Sequence, residues 1–331
     1  MNRVIRASIL VIMMMGLISC KEKNSALKVD LSTVPEIPIQ IHRYDKALFS
    51  LNKDSIKEGM EKLQNEYSVF LGKGSFDQSQ VMQISNFVLD PRIEELYDST
   101  MVHFPNLDFL NTELEQAYKY LRYYFPKERV PVFYTYISDV SYEQPIMVGD
   151  SAVVIGLDNF LGTNFPMYGP IGIPLYASQR MTPDYIVRDI MDFEVSGKYL
   201  EDDEVKVVLD EMIRQGKRLT FVQHMLPDLS DAVVFGTYPT KMKWLKDYEQ
   251  EIWASFINNK LIYSHKSGDF RTFLSDGPYC KAFGQDSPAN VGGFIGWQIV
   301  NSFMKNNPNV SLADLMNMNA NQILKQSKYK P

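Results

Sequence analysis

Apolar side chains recur every three to four positions through much of the chain, the spacing that gathers them on one face of a helix. Ile56, Met60, Leu63, Tyr67 and Phe70 follow it over residues 54–70. The same period predicts helices over residues 79–90, 91–102 and 110–125, the last with Leu114, Tyr118, Leu121 and Phe125 along one side. Strand patterning appears in three places. Ile37, Ile39 and Ile41 alternate, residues 130–137 are rich in β-branched and aromatic side chains, and residues 146–148 and 152–157 read as a hairpin turning at Gly149-Asp150-Ser151. Residues 159–182 mix Gly and Pro with aromatics and are expected to form a long ordered loop. Thr182-Pro183-Asp184 then supplies an N-cap, a proline at N1 and a first-turn acid, which starts a helix running to about Gly197. Further helices are predicted from Asp202 to Pro227, over 239–260 and over 289–305, with another after Ser311. About five or six helices around a small β-sheet make an α+β, mainly helical fold. With no linker, repeat or low-complexity run inside it, residues 37–331 are expected to be one domain.

The first twenty residues carry a different pattern. Arg3 and Arg6 flank the start of an apolar core of about a dozen residues from Ala7 to Ile18. That length suits a signal peptide and falls short of the roughly 20 residues a membrane-spanning helix needs. The segment closes Leu17-Ile18-Ser19-Cys20, which resembles the lipobox of bacterial lipoproteins. The resemblance implies diacylation of the Cys20 thiol, with chains such as palmitate, then cleavage after residue 19 and acylation of the new amine; a thiolate is the nucleophile this chemistry needs. Residues 1–19 are thus expected to be a signal peptide, and residues 20–36, polar and without apolar period, a lipidated tether. Acyl chains contribute about 0.8 kcal/mol per buried methylene, so two or three of them anchor a protein without spanning the bilayer. Lys21 stands where an aspartate would signal retention at the inner membrane, which favours the outer membrane of the envelope.

Composition narrows the chemistry. The 331 residues carry a formal charge of -6, and about -8 once Arg3 and Arg6 leave with residues 1–19. An acidic chain argues against nucleic acid, whose binding needs a basic face. Cys20 and Cys280 are the only cysteines, which excludes a disulfide framework and sites of several thiolates. Imidazole chemistry is limited to His42, His103, His224 and His265. Zincin peptidases place two histidines one turn apart around a glutamate, so that both imidazoles meet one zinc ion. No HExxH occurs here. The helix over 183–197 offers instead Asp189 and Asp192 on one face, where they would hold a hard cation such as calcium or form a solvated acidic face.

The alternative to a non-catalytic protein is a metal-dependent hydrolase or peptidase with an atypical carboxylate site around Asp189, Asp192 and Glu194. His265 and Cys280 with Asp269 or Asp276 have the residue types of a nucleophilic triad, but no elbow or oxyanion glycine pattern surrounds Cys280, so an inert thiol is expected. Gly292 and Gly296 lie four apart, which lets another backbone approach; Gln298 and Asn301 interrupt the apolar run and favour packing within the chain over a membrane dimer. No catalytic residue, metal or cofactor is assigned. The expected partner-binding surface is the aromatic loop with Phe165, Tyr168 and Tyr176, because long Gly- and Pro-rich loops within compact domains are uncommon and often functional.

Several blocks together resemble one family. The lipobox, the opening Ile41-His42-Arg43-Tyr44-Asp45-Lys46-Ala47-Leu48-Phe49, the helix start Arg180-x-x-Pro183-x-Tyr185-Ile186-Val187 and the ending from VGGFIGWQIVNSFMKNNP to ILKQSKYKP are similar to the gliding-motility lipoprotein GldB family of the Bacteroidetes. The resemblance implies an envelope lipoprotein needed for surface motility or its associated protein traffic. That family is in turn similar to zinc-dependent peptidases of zincin-like fold. By that likeness the 183–197 helix takes the place of the metal-binding helix and residues 212–217 that of the third-ligand helix, with Asp, Arg and Gln where relatives would carry His and Glu. What the resemblance implies is a zincin-like, metallopeptidase-related body that has lost its metal site. Such a pseudoenzyme would bind an envelope protein partner in a cleft roofed by loop 159–182.

Overall fold

Val132–Tyr136 forms the strand its aromatic and β-branched side chains predict, and it lies inside a four-stranded sheet rather than beside a lone hairpin. The computed structural model, which describes residues 27–200 and 204–331, orders the strands β1 (Ile41–Arg43), β2 (Val132–Tyr136), β4 (Ala152–Gly156) and β3 (Ile146–Val148). Cys20 and the expected signal peptide lie outside the described residues. β1 and β4 run parallel to β2, and β3 alone is antiparallel, with Ile146 opposite Ile155 and Val148 opposite Val153. The hairpin is legible in sequence. The β1–β2 ladder is not, because parallel strands are joined by a long crossover that leaves no local signature.

The pleat of β2 divides the molecule. Phe133 and Thr135 are buried on the side of the main core, while Tyr134 and Tyr136 pack on the other face against a smaller cluster that includes Tyr44, Met60 and Tyr67. Between them sits a fully buried carboxylate, Asp45. It accepts from Arg43 Nη2 at 2.6 Å and from Thr135 Oγ1 at 2.6 Å. The charged block at the start of the body is therefore structural: it ties β1 and the helix Tyr44–Phe49 to the sheet.

Four helices carry the main core: α1 (Asp108–Tyr124), α2 (Ile186–Tyr199), α3 (Val208–Met225) and α4 (Val291–Asn306). α3 is apolar or buried on nearly every side, Lys217 included, whose Nζ donates to the Met316 carbonyl at 2.9 Å. Its contact with α4 is backbone to backbone. A Cβ built on Gly296 would overlap the Met212 carbonyl, and one on Gly216 would overlap the Gly296 carbonyl. The approach expected for the glycines of α4 thus occurs within the chain.

Several boundaries differ from the sequence pattern. The 54–70 helix divides into Ile56–Leu63 and Ser68–Leu71, and the 239–260 helix into Pro239–Asp247 and Glu249–Asn258. Pro183–Tyr185 is a 3-10 turn leading into α2, and Thr182 makes no side-chain cap bond. Apolar period survives such breaks, so it marks the buried face better than the ends. Loop 159–182 contains one helical turn, Leu175–Ser178. Among the described residues no helix is long and apolar enough to cross a membrane.

Candidate functional site

A cleft opens between loop 159–182, α2, α3 and the segment 275–290. It has two lobes. One, of about 430 Å³, is bounded by Tyr142, Glu143, Asn159 and the Arg188–Asp192 face of α2. The other, of about 480 Å³, reaches Gln215, Phe235, Tyr238, Lys241 and Asn290. Tyr176, Arg180, Arg218 and Asp276 line both. An Arg180–Asp276 ion pair stands between the lobes.

The centre of the cleft wall is a charge network. Arg188 and Asp192 lie one turn apart on α2, and Arg188 Nη1 donates to Asp192 Oδ2 at 2.7 Å and to Asp189 Oδ1 at 2.8 Å. The other edge of its guanidinium grips the Val234 carbonyl at 2.8 and 3.1 Å. From α3, Arg218 reaches across to Asp192 with two bonds, 2.8 Å to Oδ1 and 2.7 Å to Oδ2. Charges buried this deeply must be paired, since each isolated ion would lose several kcal/mol of hydration. Burial alone would raise the Asp192 carboxyl, yet Arg218 and Arg188 together hold it well below the usual carboxylate range. Among the described residues Asp189 has only Arg188 as a hydrogen-bonded partner, and there burial prevails and the carboxyl is raised.

The structure separates the residues singled out in sequence. Asp189 and Asp192 share the cleft wall but are locked to arginines, not displayed as a solvated face. Glu194 points elsewhere: it accepts from Tyr118 at 2.6 Å and pairs with Lys198 at 2.6 Å. The three carboxylates of an atypical metal site therefore do not converge. Among the described residues no group of three or more His, Cys, Asp or Glu is placed to hold a metal ion. The triad residues are also apart. His265 bonds to the Lys206 carbonyl, Asp269 to Ser264, Asp276 to Arg180, and Cys280 is buried with its thiol on the Thr272 carbonyl and its pKa raised by burial. His42 meets Glu66, His103 the Ser99 carbonyl and half-buried His224 the Thr220 carbonyl.

Of the loop aromatics, Tyr176 faces the cleft. Tyr168 is 2% exposed and structural; its hydroxyl donates to the Asp158 carbonyl at 2.8 Å and accepts from Leu161 N–H at 3.1 Å. Phe165 is half-buried against Tyr168 and His103. Sequence reasoning missed Arg188 and Arg218. The i, i+4 spacing of Arg188 and Asp192 was readable as a helix-face pair; nothing local marks Arg218, which lies 26 residues beyond Asp192. It also lies one position past the 212–217 block.

A strained turn leads into Tyr142 and Glu143 of the first lobe. Asp139 and Val140 adopt φ 60° and 55°, a left-handed conformation that a β-branched residue rarely takes. The buried Asp158 carboxylate holds that turn by accepting from Ser138 N–H at 2.8 Å, Val140 N–H at 2.6 Å and Ser138 Oγ at 3.0 Å. Burial pushes Asp158 up to about 6 against these three donors. The next residue, Asn159, is fully buried; its Nδ2 donates to Ser138 Oγ and the Gly156 carbonyl, while Oδ1 has no partner among the described residues.

Fold and cleft together define a mainly helical α+β protein whose cleft wall is closed by ion pairs. The chain belongs to the gliding motility protein GldB family, whose model matches residues 24–331. It is accordingly a gliding-motility-associated lipoprotein, held to the cell envelope by lipid. No curated protein and no solved structure matches it.

Proposed function

We propose that this lipoprotein is a non-catalytic component of gliding motility or of its associated protein traffic, anchored through Cys20 at the outer membrane and holding an envelope protein partner in the cleft. Residues 37–331 act as a single zincin-like domain in this reading. The observation that carries it is the Arg188–Asp192–Arg218 network. Arg188 and Asp192 occupy i and i+4 of the helix beside the antiparallel edge strand, and Arg218 arrives from the next helix. A zincin would bring two histidines from the first helix and a third ligand from the second to one metal. Here guanidinium groups meet a carboxylate, and both Asp192 oxygens are taken. The arrangement supports a binding cleft stiffened by charge, with Tyr176 at its mouth.

The test uses Tyr176→Ala in the full-length lipoprotein, followed by cross-linking in intact cells and a motility assay. Loss of a specific cross-linked partner and of motility, at unchanged protein level, is expected. Wild-type capture and motility would remove the cleft mouth from the function.

A further inference from the structure

The two lobes of the cleft carry opposite charge. Glu143, Asp189, Asp192 and Asp276 outnumber Arg180, Arg188 and Arg218 around the first lobe, whereas Arg180, Arg218 and Lys241 line the second with Asp276 as its one acid, Asp192 meeting Arg218 from the side of the first lobe. A concave basic lobe on a chain of formal charge -6 marks a place where the protein attracts an anion that its overall field repels. Lys241 is fixed by three backbone carbonyls, those of Gln285, Asp286 and Ser287. The two arginines keep donors in reserve. Arg218 gives Nε and Nη2 to Asp192, and Arg180 gives Nη2 to Asp276; Nη1 of each has no hydrogen-bond partner among the described residues.

The Arg180–Asp276 pair is exposed at both ends, with side-chain exposures of 35% and 49%. Ion pairs in that position contribute little and open readily. The rim is apolar: Leu175 is 78% exposed and Tyr238 45%, beside Tyr176. A lobe of about 480 Å³ with such a rim is larger and less polar than a lone phosphate requires. Guanidinium groups favour planar carboxylates, which they bind through two parallel hydrogen bonds.

From this we infer that the basic lobe takes an acidic stretch of a partner polypeptide, whose carboxylate replaces Asp276 on Arg180 while neighbouring apolar side chains cover Leu175 and Tyr238. The Arg180–Asp276 pair is then a latch that the ligand opens. The inference rests on the partner-binding reading above and specifies the chemistry of the partner.

The experiment is fluorescence anisotropy with the full-length protein in detergent micelles. The probe is a short fluorescein-labelled peptide alternating glutamate with leucine, and its glutamine counterpart is the control. The acidic peptide is expected to bind about tenfold tighter than the control and to weaken with salt. Arg180→Gln should weaken it about tenfold. Asp276→Asn, which frees Arg180 and keeps the side-chain shape, should tighten it severalfold. The opposite signs separate a latch from a structural bridge, because loss of a merely structural pair would weaken both variants alike, and thermal melts check that each is folded. Equal binding of the two peptides, weakening by Asp276→Asn, or equally effective competition by inorganic phosphate or phosphatidylglycerol vesicles would overturn the inference. Capture of an envelope partner to the same extent by wild type and by Arg180→Gln would overturn it as well and leave the partner-binding reading standing. Peptide binding with the expected signs, but no partner in cells, would overturn only that reading.

Discussion

At Asp192 one carboxylate holds two guanidinium groups from two helices, so the residue has a large, measurable share in the fold. Asp192→Asn keeps the shape and leaves Arg188 and Arg218 short of a counter-charge. Breaking a buried pair in this way is expected to cost about 3 kcal/mol or more in urea denaturation; a change within experimental error would show the network to be dispensable. The pH dependence follows from the depressed carboxyl: its contribution is fully present above the unfolded value near 4 and is lost as pH falls toward the folded value. Asp158 has the opposite sign. With its carboxyl raised to about 6, burial of the charged form weakens the fold as pH rises from about 4 through about 6. The stability difference between wild type and Asp158→Asn should therefore shift by about 3 kcal/mol between acid and neutral pH, against the wild type, and a pH-independent difference would contradict this assignment. Of the two, Asp192 alone was singled out in sequence, as a candidate cation ligand beside Asp189, and its ion-pair role was not legible. Asp192 read as one of two acids on a helix face, because the arginine that completes its environment comes from a separate element. Asp158 carried no local signal, because its donors lie across the hairpin in the strained turn.

At the scale of elements, the helices announced themselves through apolar period, and what they pack against did not. Leu114, Tyr118 and Leu121 line a buried face of α1 and Phe125 is buried at its C-terminal cap, as their spacing predicts. The division at Tyr248 leaves Trp244 and Tyr248 stacked with ring centroids 4.6 Å apart, so the apolar series continues although the helix does not. Gly292 and Gly296 of α4 were legible as close-approach positions; that Gly296 meets the α3 backbone at Met212 and Gly216, and Gly292 the Phe273 carbonyl and Leu274, was not. This contact gives a paired test. Gly296→Ala would force its Cβ into the Met212 carbonyl, and overpacking of that kind is expected to cost about 3 kcal/mol. Gly197→Ala, in α2, meets nothing within 4 Å and should stabilise by about 0.5–1 kcal/mol through the lost freedom of the unfolded chain. Thermal or urea unfolding of the two variants decides it. Equal effects would mean that the α3–α4 contact yields more than its backbone geometry allows.

At the scale of the molecule, the sheet and four core helices position a cleft whose two walls, α2 and α3, are clamped to each other by Arg218 and Asp192, while Arg188 clamps α2 to the Val234 carbonyl in the helix Asp231–Phe235. The mainly helical α+β class was within reach of the sequence, as was the family, through its terminal blocks. The parallel ladder was beyond it, since β1 and β2 meet only after a crossover. Charge pairs among side chains hold the centre of this cleft. The direct measurement is metal content per chain in the full-length protein, purified without chelators. Near-zero metal is the result the ion-pair network predicts. About one tightly held zinc per chain would contradict it and return the cleft to the hydrolases.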